Sequence, residues 1–143
     1  MKKTTVVFIA ILTTLLMSCG NKGNDDSTKV TLVDKESGAK IAATANQQKL
    51  PNDFPTDIFV IKGTIENIST VEMGNQKTVS IYISEELSPK ETRSEILINM
   101  EANGWTTNIN VASQMYFSKE DKTLRIGIVG SDNKTDISYI ATY

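Results

Sequence analysis

Apolar and polar residues alternate along most of the chain, and alternation with a period of two predicts strands with one buried face. Five such segments occur after residue 60: 64–73, 78–84, 114–118, 123–129 and 135–143. In the first segment Ile65, Val71 and Met73 are in phase. The buried faces of the second and fourth segments are also defined by apolar residues: Val79, Ile81 and Ile83, then Leu124, Ile126 and Ile128.

One segment follows the helical period instead. Ser88-Pro89-Lys90-Glu91 combines an N-cap serine, a proline at the first helical position and a glutamate three residues after the cap, which is a capping box. The helix should run to about Asn103 and stop at Gly104, a typical left-handed C-terminal residue. Its apolar residues share one face: Ile96, Leu97 and Met100. A helix over 88–103 with a single apolar stripe must cover a sheet face.

Two further segments precede these elements. Residues 29–45 read as a β-hairpin, which needs other strands to be stable. Residues 46–57 contain two prolines and are interpreted as an extended connector. Its apolar residues Leu50 and Phe54 should pack against the rest of the domain. Residues 58–143 hold the core.

These elements predict a single small α+β domain over residues 29–143. We expect an antiparallel, meander-like sheet of four to six strands with one helix packed on one face. The N-terminal hairpin precedes this sheet and either extends or abuts it.

Composition removes several kinds of chemistry. The 143 residues include no histidine and one cysteine, Cys19. Imidazole-based catalysis, an internal disulfide and a zinc knuckle are therefore excluded. The formal charge is −2, and the only basic cluster is at the extreme N-terminus, which argues against nucleic acid as a partner. No acidic spacing suits a calcium loop, so neither a metal nor a cofactor is expected.

The first 18 residues have the organisation of a secretory signal peptide. Lys2 and Lys3 precede the run Val6–Met17, which is apolar apart from two threonines, and small Ser18 precedes Cys19. Twelve helical residues span about 18 Å, which is short of the roughly 30 Å hydrocarbon core of a bilayer. A signal peptide over 1–18 is therefore favoured over a membrane span.

Leu16-Met17-Ser18-Cys19 resembles the lipobox of bacterial lipoprotein precursors. The resemblance implies that Cys19 receives a thioether-linked diacylglycerol, that cleavage falls between Ser18 and Cys19, and that the new α-amine is acylated. It covers only about the first 20 residues and implies nothing about the fold. Two or three acyl chains of this kind would hold a protein stably on a membrane.

The mature chain implied by this resemblance would begin at Cys19 and carry a formal charge of −4, with 13 basic and 17 acidic residues. Residues 19–28 would form a flexible, solvated tether. In many two-membrane bacteria, aspartate directly after the cysteine retains a lipoprotein at the inner membrane. The lipobox resemblance, with Gly20 at this position, therefore implies the outer membrane, on its periplasmic or surface face.

The mature part more loosely resembles small uncharacterised bacterial envelope proteins with a Leu-Pro-x-x-Phe-Pro-x-Asp connector and a capped helix ending in Gly-Trp. The matching residues span about 90 positions: Leu50, Pro51, Phe54, Pro55, Asp57, Ser88, Gly104 and Trp105. The resemblance implies no activity.

Motifs that suggest catalysis have simpler interpretations. Ser37-Gly38-Ala39-Lys40 and Ser131-Asp132-Asn133 match the spacing of penicillin-recognising enzymes, but both read as turns. Two carboxylate pairs, Glu85 with Glu86 and Asp53 with Asp57, are the candidates for acid–base work and read as solvated loop charge. The aromatic residues are expected to be core and edge residues: Phe54, Phe59, Trp105, Tyr116 and Tyr139.

The sequence therefore predicts a membrane-anchored envelope lipoprotein that is a non-enzymatic binding or interaction module. Its expected partners are the membrane, through the lipid, and another envelope protein or a cell-wall polymer. Two alternatives stay open. One is a small carboxylate-dependent hydrolase acting on an envelope or cell-wall substrate, and the other is a structural lipoprotein that maintains envelope integrity.

Overall fold

The computed structural model of the chain describes residues 28–33, 40–47 and 49–143. Within these ranges the chain forms eight strands and one helix. The strands are β1 (Thr28–Val33), β2 (Lys40–Gln47), β3 (Thr64–Met73), β4 (Gln76–Glu85), β5 (Thr106–Val111), β6 (Gln114–Lys119), β7 (Lys122–Ser131) and β8 (Lys134–Thr142). The helix, α1, spans Pro89–Ala102. The predicted signal peptide, the cleavage site, Cys19 and most of the tether lie outside the described residues.

All eight strands belong to one antiparallel sheet, in the order β1-β2-β3-β4-β8-β7-β6-β5. The first four strands form one meander and the last four form another, and the two meet where β4 pairs with β8. Helix α1 carries the chain from β4, in the centre of the sheet, to β5 at its far edge. The architecture is therefore α+β-like: a mostly antiparallel sheet with one helix.

The prediction of four to six strands was too low, for two reasons. The N-terminal hairpin belongs to the sheet, because β2 pairs with β3. In addition, β5 had not been predicted. Its sequence, Thr-Thr-Asn-Ile-Asn-Val, alternates over only four residues, and its two large apolar residues, Ile109 and Val111, are exposed. Its pairing with β6 creates the strand, which a local pattern does not reveal.

The predicted phase of β3 was also wrong. The β3–β4 register shifts between Ile65 and Asn67, so a bulge at Glu66 reverses the faces that follow. Ile68 becomes fully buried, whereas Val71 and Met73 are 40% and 58% exposed. Ile65 lies on the other face from these two residues, opposite Ile83.

The predicted helix and its caps are confirmed. The Ser88 hydroxyl accepts from the Glu91 N–H, and the Glu91 carboxylate accepts from the Ser88 N–H. Gly104 has a φ of +80°, as expected after the C-cap. Ile96 and Met100 are completely buried. They lie in a core built on the predicted strand faces: Val79, Ile81, Ile83, Leu124, Ile126 and Ile128.

The connector and the helix cover the same face of the sheet. Phe54 is buried in the core and Leu50 is partly buried against it, as predicted. Ile61 donates its N–H to the hydroxyl of Tyr139, a fully buried residue of β8, at 3.2 Å. Among the described residues, neither the helix nor the connector covers the opposite face of the sheet, and we call that face the open face.

Candidate functional site

Asp53 and Asp57, one of the two candidate carboxylate pairs, are both bound by lysines. Asp57 Oδ2 lies 2.9 Å from Lys119 Nζ and 3.4 Å from Lys122 Nζ. Burial opposes ionisation of Asp57, but the two ammonium groups outweigh it, and the pKa of this carboxyl lies below its ordinary value. Asp53 is bound by Lys77 at 2.6 Å, and this hydrogen bond likewise lowers the pKa of Asp53. Both carboxylates stay ionised and are held by lysines.

Glu85 and Glu86 have a different environment. They line a cavity of about 590 Å³ at the end of β4, together with Thr64, Ser84, Asn133 and Lys134. Burial, followed by the charges of Glu95 and Glu86, raises the pKa of Glu85. Its Oε2 is buried and has no hydrogen-bond partner among the described residues. Glu85 is therefore the carboxyl whose surroundings best suit proton donation.

The remaining sequence motifs form no site among the residues that the structure describes. Asp132 and Asn133 form the β7–β8 turn, as predicted. Ser37 lies outside the described residues, and Lys40 begins β2. Among the described residues, no cluster of three or more Cys, Asp or Glu side chains is placed to hold a metal ion.

Most of the aromatic residues are core residues, as expected. Phe54, Trp105 and Tyr139 are buried, and Phe59 packs against the core. Tyr116 is different, because it lies on the open face. The guanidinium of Arg125, on the neighbouring strand, lies 5.4 Å from the centre of its ring, which is the geometry of a cation–π contact.

The open face contains a groove of about 340 Å³ over β4, β8 and β7. The strand register places Tyr82, Ser138 and Gly127 in one row across these strands. Because Gly127 has no side chain, the backbone of β7 is accessible at the floor of the groove. A Cβ added to Gly127 would lie 2.6 Å from the hydroxyl oxygen of Ser138. The absence of a side chain at this position therefore shapes the groove.

The walls of the groove are apolar and its rim is acidic. Tyr82 is 47% exposed and Val129 is 70% exposed, so both offer apolar surface to solvent. Glu66, at the β3 bulge, and Asp136, opposite Val129 on β8, also line the groove. An exposed aromatic ring, a bare backbone and two carboxylates suit a ligand that combines apolar surface with hydroxyl or cationic groups.

Sequence reasoning missed this groove, although two signals were present. A glycine inside an alternating strand often marks a bulge or a close approach, and Gly127 stands between Ile126 and Ile128. Tyr82 occupies a polar-phase position between Ile81 and Ile83 and so had to face solvent. Gly127 and Tyr82 lie in the same groove only because of the strand order, which the sequence did not predict.

A scan of family models and searches of curated proteins and solved structures found no match to this chain. No helix in the part of the chain that the structure describes is long and apolar enough to cross a membrane.

Proposed function

We propose that this protein is a lipid-anchored bacterial envelope lipoprotein that binds a partner, without catalysis, through the groove on its open face. The anchor rests on the lipobox resemblance, with the lipid on Cys19 and the outer membrane as its location. The binding role rests on the groove over β4, β8 and β7. The partner is another envelope protein or a cell-wall polymer.

The groove is the single observation that supports a binding role most strongly. Val129, at 70% exposure, is the most exposed of the large apolar residues in the described part of the chain. It lines the same groove as Tyr82, at 47% exposure. Apolar side chains that remain in water at a concave surface are typical of binding sites.

The binding role is tested by capture from native envelopes with the full-length lipidated protein and two matched variants. Val129→Asp places a charge in the groove. Ile98→Asp makes the same kind of change at a 66% exposed position on the helix, away from the open face. We expect the wild type and Ile98→Asp to retain one and the same partner, and Val129→Asp to lose it. Equal retention by all three, or by none, would contradict groove binding.

The hydrolase alternative has one specific observation in its favour, the environment of Glu85. Its raised pKa and its position with Glu86 in a cavity are properties of a general acid. Its test is hydrolysis of purified cell-wall material by the wild type, Glu85→Gln and Glu86→Gln. A catalytic carboxylate requires a loss of orders of magnitude in rate on substitution. Absence of hydrolysis by the wild type would favour the binding role or the structural alternative.

A further inference from the structure

The three N-terminal strands carry a second exposed apolar surface, separate from the groove. The register aligns Leu32 with Ile41 and Ile41 with Met73. In the next row it aligns Val30, Ala43 and Val71. These two rows across β1, β2 and β3 form what we call the hairpin patch: Val30, Leu32, Ile41, Ala43, Val71 and Met73. Its five large members are between 37% and 63% exposed.

Apart from Glu66, which lies in the groove at the far end of β3, the charged residues of these strands lie on the other face. Because side chains alternate between the two faces of a strand, Lys29 and Lys40 lie on the face opposite the patch. Both line a polar cavity there with Glu72 and Lys77. From the patch to Tyr82, the open-face positions of the described strands carry no charge: Thr28, Ala45, Asn67, Ser69, Gln76, Thr78 and Ser80. The patch therefore adjoins uncharged surface, as expected of a surface that leaves water.

The position of the patch relative to the proposed anchor identifies its occupant. Thr28, the first residue of β1, follows Cys19 by nine positions. Nine residues span at most about 30 Å even when fully extended. A lipid on Cys19 therefore holds β1 within that distance of the bilayer, at a high effective concentration.

We infer that the hairpin patch rests on the lipid surface that carries the anchor. This inference depends on the anchor of the proposed function. The patch supplies apolar side chains at the end of the sheet that is nearest the anchor along the chain, and the bilayer supplies the apolar phase. A sheet twists by about 20–25° per strand. The three steps from β2 to β8 therefore turn the open face by roughly 60–75°, so the groove opens to the side and not onto the bilayer when the patch lies on it.

The test uses the full-length lipidated protein in phosphatidylethanolamine–phosphatidylglycerol vesicles that contain nitroxide-labelled phospholipid. A fluorophore is attached at Leu32→Cys and, separately, at Met73→Cys, both in the patch. The matched controls are Thr31→Cys and Glu72→Cys, whose side chains point to the opposite face of the same strands. The native sulfur of Cys19 is occupied by lipid in each variant. Met73 is far from the anchor in sequence, so its label distinguishes contact from mere proximity to the tether.

We expect the labels at Leu32 and Met73 to lose most of their emission and the labels at Thr31 and Glu72 to keep theirs. If the protein floats with the vesicles but all four labels are quenched equally or not at all, the inference is wrong and the anchor stands. If the labels at Leu32 and Met73 are instead protected from solvent without lipid, and this protection rises with protein concentration, the patch binds a second copy of the chain. A protein that does not float would overturn the anchor, and the inference with it.

Discussion

The indole Nε1 of Trp105 donates a hydrogen bond of 3.0 Å to the backbone carbonyl of Asp57, 48 residues earlier in the chain. The side chain of Asn103 donates to the same carbonyl, also at 3.0 Å. The Asp57 carboxylate meanwhile holds the two lysines that flank the β6–β7 turn, Lys119 and Lys122. This junction ties the connector to the end of the helix and to the second meander.

Replacing Trp105 with phenylalanine removes the indole donor and leaves a smaller ring in a site that is 3% exposed. We expect the free energy of unfolding to fall by about 1–3 kcal/mol, measured by urea denaturation. Ile98→Ala, at a 66% exposed helix position, is the control and should change it by less than about 0.5 kcal/mol. Equal, small effects of both substitutions would mean that the junction contributes little.

Asp57 should make stability depend on acidity. Its pKa is lowered in the folded state, so its contribution is present above the ordinary pKa of 3.8 and is lost as pH falls through the lower folded value. Asp57→Asn keeps the backbone carbonyl but removes the charge. At neutral pH we expect the variant to be about 1 kcal/mol less stable.

The difference in the free energy of unfolding between the wild type and Asp57→Asn should become smaller as the pH falls below about 4. Urea denaturation at several pH values from 7 to 3 measures it. A difference that stays constant over this range would show that the carboxylate charge does not act through the two lysines.

Gly104 has a φ of +80°, a conformation that disfavours a Cβ. The added Cβ of Gly104→Ala would contact only the flexible end of Lys119, at 3.8 Å. The substitution should therefore lower the stability through backbone strain and not through a steric clash. We expect a loss of about 1 kcal/mol in the free energy of unfolding. Gly104→Asn should lose less, because asparagine tolerates this conformation better. Equal losses in the two variants would point to side-chain contact instead of backbone strain.

The floor of the groove offers a double-mutant test. Gly127→Ala should destabilise the protein by about 1 kcal/mol, since the new Cβ would lie 2.6 Å from the Ser138 hydroxyl oxygen and the serine must leave its rotamer. Adding Ser138→Ala removes that atom and should restore most of the loss. Simple additivity of the two substitutions would contradict the close approach, because residues in contact couple energetically.

The sequence predicted the elements whose causes are local. The capping box at 88–91 and the alternation around Ile81 and Ile126 depend on neighbours a few residues away, so the helix and the central strand faces followed from the pattern. The bulge at Glu66 and the pairing that forms β5 depend on partner strands. The sequence contained no local signal for the bulge, and for β5 it contained only the short alternation of Ile109 and Val111 with asparagines.

The candidate site was harder to predict than the fold. Tyr82, Ser138 and Gly127 come from three strands and share a row only because β8 inserts between β4 and β7. Asp57 was predicted to be solvated loop charge, but its carboxylate is held by Lys119 and Lys122, which lie more than 60 residues later. Such juxtapositions follow from strand order, which periodicity alone does not determine.

The proposed membrane location depends most on the lipid at Cys19, and the mass of the mature N-terminus tests that anchor directly. Mass spectrometry of the protein purified from native membranes should show a chain that begins at Cys19 and carries diacylglycerol on its sulfur and an acyl group on its α-amine. A chain with an unmodified thiol at Cys19, cleaved or uncleaved, would contradict the anchor and the membrane contact inferred from it.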